Sequence, residues 1–130
     1  MVVAGLTDAG PDGVWARHIL TTKRLVAPHL MMAEAANILR RLALANQISW
    51  EITHQAHNDL VALPVQLLPY APFFERIFSL GTQLTCYDAW YVAVAERMRG
   101  PLATLDRRLA RSPGAPCAFA LPPPIPSAGK

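Results

Sequence analysis

LTCYDAWYVAVAERMRGPLATLDRRLA, residues Leu84–Ala110, decides how the rest of the chain reads. Thr85-x-x-Asp88 has the form of a capping box, with oxygen acceptors set against the free amides of a helix start. The helix behind it is apolar nearly all round in AWYVAVA and is therefore a buried helix, running to about Arg99. Cations fill its last turn, and Gly100 and Pro101 stop it. PLATL then reads as a short strand and DRRLAR as a short helix opened by Asp106. Two carboxylates thus stand at the lips of apolar elements, where a charge needs a reason to be.

Working outward, 130 residues make one domain, large enough for a real core. Apolar residues are 52% and charged residues 16%, which excludes a disordered, solvated chain. No apolar run approaches the ~20 residues that a membrane helix needs. MVVAGLTDAG has neither a basic region nor a long apolar stretch, so it does not read as a signal peptide. Cys86 and Cys117 fit two ordinary thiols in a reduced, cytoplasmic protein. The net charge of +3 is mild and lacks the dense Lys/Arg signature of a protein that lives on nucleic acid. Arg40, Arg41, Arg97, Arg99, Arg107, Arg108 and Arg111 nevertheless cluster in three places. They read either as phosphate contacts or as solvated helix ends.

Short strands and helices alternate along the chain. TDAGPDG (Thr7–Gly13) reads as a turn, and VWARHIL as the helix after it. RLVAP (Arg24–Pro28) is a proline-ended strand. Met31, Ala35, Ile38 and Leu42 recur at helical spacing in a helix from about Leu30 to Ala45. Ser49 caps another, Trp50 to about Ala62. LPVQLLP (Leu63–Pro69) is a strand, Phe73–Leu80 a helix closed by Gly81, and CAFAL (Cys117–Leu121) a last strand. This alternation predicts an α/β fold, a three-layer α/β/α sandwich with a parallel sheet, whose ligands gather at the carboxyl ends of the strands. Residues 1–121 form the domain, and the proline-rich stretch 122–130 reads as a loose tail. Trp90, Phe73, Phe74 and Phe78 read as core residues or as a partner surface, with the core favoured, and Glu96 is expected to pair with an arginine one turn away.

Three carboxylates carry the chemistry, each with a structural alternative. Asp88 is either a helix cap or a charge set in a crevice, because the helix behind it is buried. Asp106 is either the N-cap of RRLAR or a ligand at the carboxyl end of PLATL, with Thr104 on the same face as its support. Glu34 lies at the edge of the apolar stripe of its helix, where a charge is costly unless it reaches water, is paired or binds a metal. Carboxylates gathered in one crevice repel each other, and a divalent cation with oxygen preference relieves that. His54 and His57 are spaced i, i+3 but have no third ligand nearby in the sequence. No P-loop or dinucleotide fingerprint is present, and neither cysteine has the histidine and acid of a thiol nucleophile.

LVAPHLMMAEAANILRR, LPVQLLP and LTCYDAWYVAVAERMRGPLATLDRRLAR, in this order, resemble the PIN domain, specifically the VapC toxins of bacterial toxin–antitoxin pairs. The resemblance covers the chain up to about Leu121. It implies a parallel sheet within an α/β/α sandwich and endonucleolytic cleavage of RNA with Mg2+ or Mn2+. It also implies control by a cognate antitoxin, commonly of the VapB type, and a homodimer. The acidic site maps to Glu34, Asp88 and Asp106, with Thr104 as a supporting or substrate contact and Arg40, Arg107 and Arg108 on the RNA backbone.

One departure stands out. In this family the first strand ends in an aspartate, followed by a helix and a Gly-rich turn. Here VVAGL (Val2–Leu6) corresponds to that helix and TDAGPDG to that turn. The expectation is that the strand and its aspartate lie before Met1, since Asp8 and Asp12 fall past the helix. Two functions follow: a metal-dependent endoribonuclease toxin, or a catalytically impaired PIN-like module that binds RNA or antitoxin.

Overall fold

The computed structural model describes residues 1–124. In chain order these form α1 (Val2–Thr7), α2 (Pro11–Thr22), β1 (Leu25–Pro28), α3 (Leu30–Leu44), α4 (Trp50–Ala62) and β2 (Val65–Leu68). A 3₁₀ turn (Ala71–Phe73), α5 (Phe74–Leu80), α6 (Cys86–Met98), β3 (Leu102–Ala103), α7 (Arg107–Ala110) and β4 (Phe119–Ala120) follow. The strands are parallel, as the alternation predicts, because each pair is joined through helices. They form two separate pairs among the described residues. Leu25–Pro28 is in register with Val65–Leu68, and Leu102–Ala103 with Phe119–Ala120. No ladder joins β1 to β3 among the described residues, so the one continuous sheet of the sequence reading is observed as two halves.

Strand alternation builds the layers. Ala27, Val65 and Leu67 face one side, where Met31, Ala35 and Leu39 of α3, Ala56 and Leu60 of α4 and Val3 of α1 close over them. Val26 and Leu68 face the other, against Ile77 and Leu80 of α5 and Ala89, Val92 and Ala93 of α6. Helices thus cover both faces of the β1–β2 pair, and the fold is an α/β/α sandwich. Leu39, Leu60, Ile77 and Val92 are fully buried, each worth about 1.5–3 kcal/mol of transfer free energy. α6 is the shared wall. It packs on β1 and on β3, and its Tyr91 reaches across to the α3 cluster.

Several local readings shift. Pro11–Gly13 belongs to the first turn of α2 rather than to a turn before it. Proline at the helix start loses no needed hydrogen bond. Gly13 sits so close to α1 that a Cβ there would stand 1.8 Å from the Asp8 carbonyl oxygen. The buried stripe of α3 is Met31, Ala35, Leu39 and Ala43, leaving Ile38 exposed and Leu42 half-buried. Phe74 and Phe78 are 55% and 77% exposed. On α5 the inward stripe is already filled by Phe73, Ile77 and Leu80, and the other two aromatics fall on the opposite face. Trp90 and Phe73 are core residues as expected. Glu96 pairs with Arg76 of α5, 2.9 Å away, instead of an arginine on its own helix. Arg97 instead lies over the Phe73 ring, 4.9 Å from its centre. α6 ends on Arg99 in the left-handed region at φ 52°, one residue before the glycine. Both cysteines are free.

Pro122, first residue of the expected tail, is buried and accepts a hydrogen bond from Arg107. Residues 125–130 of that tail lie outside the described residues. No described helix is long and apolar enough to cross a membrane.

Candidate acidic site

Asp88 occupies the first turn of α6, three residues past its cap. The Thr85 hydroxyl accepts from the Asp88 amide at 3.1 Å, so the expected cap exists, with threonine as its acceptor. The Asp88 carboxylate itself is partly buried. Its pKa lies above the ordinary carboxylate value, chiefly because burial disfavours the charge. The nearby Asp106 charge adds to this, and a hydrogen bond with Thr85 opposes it.

Asp106 follows β3 and caps α7. Its Oδ1 accepts from the amides of Arg108 at 3.0 Å and Leu109 at 3.1 Å. Thr104 supports it as expected, through the backbone: its hydroxyl accepts from the Asp106 amide at 3.0 Å. The N-cap alternative for Asp106 is therefore observed. One oxygen holds the helix start, and Oδ2 has no protein hydrogen bond among the described residues.

Glu34 stands on α3, half-buried, and its Oε1 accepts from the Tyr91 hydroxyl at 2.7 Å. Tyr91 is one helical turn after Asp88. Its hydroxyl is held far above the usual phenol range. Burial is the largest cause, followed by the hydrogen bond to Glu34 and the charges of Glu34 and Asp88. Tyr91 is thus a neutral donor to Glu34. The sequence reading assigned it no role, although the i, i+3 spacing of Asp88 and Tyr91 puts both on one face of α6. The amino group of Met1 is also drawn into this region. Burial lowers its pKa, and the Glu34 charge works the other way.

The Asp106 charge thus acts on Asp88, and Glu34 is bonded to Tyr91, which stands one turn after Asp88 on α6. Among the described residues, no three His, Cys, Asp or Glu side chains converge tightly enough to enclose a metal ion. Hard divalent cations such as Mg2+ do not need such a cage. They bind through one or two carboxylates and retain several waters. Asp88 and Asp106 fit that demand: Asp88 is partly buried and feels the Asp106 charge, a repulsion that a cation relieves. His54 and His57 are both exposed on α4.

The arginines divide. Arg107 is fixed, its Nη2 donating to the Pro122 carbonyl at 3.0 Å. Arg108 gives its backbone amide to Asp106, and its side chain is exposed. Arg40 is exposed on α3 and makes no hydrogen bond or ion pair with the acids.

Comparison with known proteins follows this geometry. The PIN domain family matches residues 2–114. Ribonuclease VapC1 of Mycobacterium tuberculosis is 40% identical over 124 residues, 92% of this chain and 91% of that protein. Ribonuclease VapC9 of the same species is 36% identical over 108 residues, covering 83% and 85%. Ribonuclease VapC12 is 32% identical over 104 residues, covering 80% and 81%. Glu34, Tyr91, Asp88 and Asp106 all lie within the matched span, and the chain belongs to the PIN-domain family, among its VapC proteins.

Proposed function

We propose that this protein is the toxin of a toxin–antitoxin pair, a divalent-metal-dependent endoribonuclease that hydrolyses RNA phosphodiester bonds. One observation carries the reading: Asp106, just past β3, adds its charge to that acting on the partly buried Asp88 at the start of α6, and Tyr91, one turn along α6, holds Glu34 of α3 at 2.7 Å. Asp88 and Asp106 would hold the cation, Mg2+ or Mn2+, and Glu34 would complete its surroundings. When bound, the cation supplies an acidified water and neutralises charge on the phosphoryl group.

The protein's own residues do the rest. Asp106 is held in place by the amides of α7 and by Thr104. Tyr91 stays protonated and orients Glu34. Arg107 and Arg108, at the start of α7, offer positive charge to the RNA backbone beside Asp106. The VapC relatives support an RNA substrate and a partner antitoxin of the VapB kind. A cytoplasmic homodimer is the state we propose for the free toxin.

A specific observation favours a second reading. The two strand pairs share no ladder, and no three acids converge among the described residues. A catalytically impaired module that still binds RNA or antitoxin would look like this. RNA cleavage measured with Mn2+, with EDTA and with Asp88→Asn separates the two. Cleavage abolished by both controls supports the nuclease. RNA binding without metal-dependent turnover supports the module.

A further inference from the structure

Beside Asp106 lies a partly open cavity of about 320 Å3, lined by Asp12, Leu105, Arg107, Pro122, Pro123 and Pro124. That volume is at the small end of ligand sites, on the order of 300 Å3. Its walls come from three distant parts of the chain: the first turn of α2, the segment after β3 and the proline run after β4. Two opposite charges face it without pairing, since Arg76–Glu96 is the one ion pair among the described residues. The Arg107 guanidinium is held at its rim by the Pro122 carbonyl. This bond uses one of five N–H donors. Prolines offer flat apolar surface, and Asp12 offers two acceptor oxygens.

This combination suits one nucleotide of a single strand. Proteins read single-stranded RNA by splaying out bases, stacking them on aromatic or guanidinium planes and hydrogen-bonding their Watson–Crick edges; here the Arg107 guanidinium and the apolar proline rings would take the base face. A carboxylate is acceptor-only, so it selects bases with donors on that edge. Guanine presents two adjacent donors, the ring N–H and the amino group, which match the two oxygens of Asp12. The attached phosphate, being anionic, suits Arg107. A second cavity, between α5 and α6, lacks this character because Glu96 already neutralises its Arg76.

We infer that the cavity between Asp12, Arg107 and the Pro122–Pro124 run is a guanine-selective subsite for the RNA strand that lies across Asp88 and Asp106. The inference rests on the nuclease reading above and adds a base preference to it. Asp12 and Arg107 are then RNA-binding residues of that subsite.

The test is binding in EDTA, where cleavage does not interfere. Fluorescence anisotropy is read on the full chain with labelled uridine hexanucleotides carrying one internal guanosine, adenosine or inosine. One guanosine should tighten binding roughly tenfold over adenosine, as a two-bond base contact does. Inosine, which lacks the amino group, should lose most of that gain without any change to the protein. Asp12→Asn, checked for native circular dichroism, should bring the guanosine strand down to the adenosine strand. Equal affinity for the three strands, or a guanosine preference that survives Asp12→Asn, overturns the subsite. RNA binding without base preference fells the subsite alone. Absence of all RNA binding fells the subsite together with the RNA reading. Undiminished cleavage by Asp88→Asn, with the guanosine preference intact, fells only the assignment of the acids.

Discussion

Tyr91→Phe removes one hydroxyl and leaves the ring packing in place. The lost bond is the 2.7 Å contact to Glu34. Hydrogen bonds to charged groups are worth about 1.5–3 kcal/mol. Both side chains are only partly buried, so the lower part of that range applies, about 1.5–2 kcal/mol. A chain of this length has an unfolding entropy on the order of 0.27 kcal/mol/K. The melting temperature should therefore fall by about 5–7 °C. Thermal unfolding by circular dichroism at pH 7 reads this directly. The double-mutant cycle with Glu34→Gln then isolates the pair. A coupling of about 1 kcal/mol or more is expected. If Tyr91→Phe moves the midpoint by less than about 2 °C, or the cycle is additive, Tyr91 does not hold Glu34 and the link between α3 and α6 is wrong.

Four further outcomes follow from the packing and the charges. Ile77→Ala empties a fully buried position between α5 and α6 and should cost about 2–5 kcal/mol in a denaturant titration. Gly13→Ala drives a methyl against the Asp8 carbonyl and should destabilise by about 1–3 kcal/mol, seen as a lower urea midpoint. Asp88 has a raised folded-state pKa, so its ionised form destabilises the metal-free fold as pH rises through that value. Asp88→Asn should then melt above wild type at neutral pH, with the gap closing as pH falls below the raised pKa and the wild-type group becomes neutral. Arg76→Ala breaks a pair whose arginine is 49% exposed, and should cost under about 1 kcal/mol by the same unfolding assay.

The elements were legible where one physical signal dominated. Ser49 and Thr85 announce helix starts, and their side chains make those caps. β1 and β2 are short, apolar and proline-bounded, and both appear within two residues of the expected limits. Tertiary choices were not legible. Nothing local says that Phe74 and Phe78 lose the inward positions to Phe73 and Ile77, because all four suit a buried face. Arg76 is as plausible as Arg99 for Glu96 until α5 is laid against α6. Asp88, Asp106 and Thr104 could be singled out because strand ends and helix starts mark such positions, and the structure places them there. Tyr91 could not, because its role is a contact with Glu34, 57 positions away. The split of the parallel sheet into two pairs was not legible either, because pairing between strands is set by tertiary packing and not by the local pattern of β1 or β3.

RNA cleavage by the full chain with Mn2+, repeated with EDTA and with Asp88→Asn, tests the central claim most directly. A metal-dependent nuclease built on Asp88 and Asp106 cleaves in the first case and in neither of the others, while Asp88→Asn stays folded and still binds RNA. Cleavage that persists in Asp88→Asn contradicts the claim, because the acid at the start of α6 would then stand outside the chemistry.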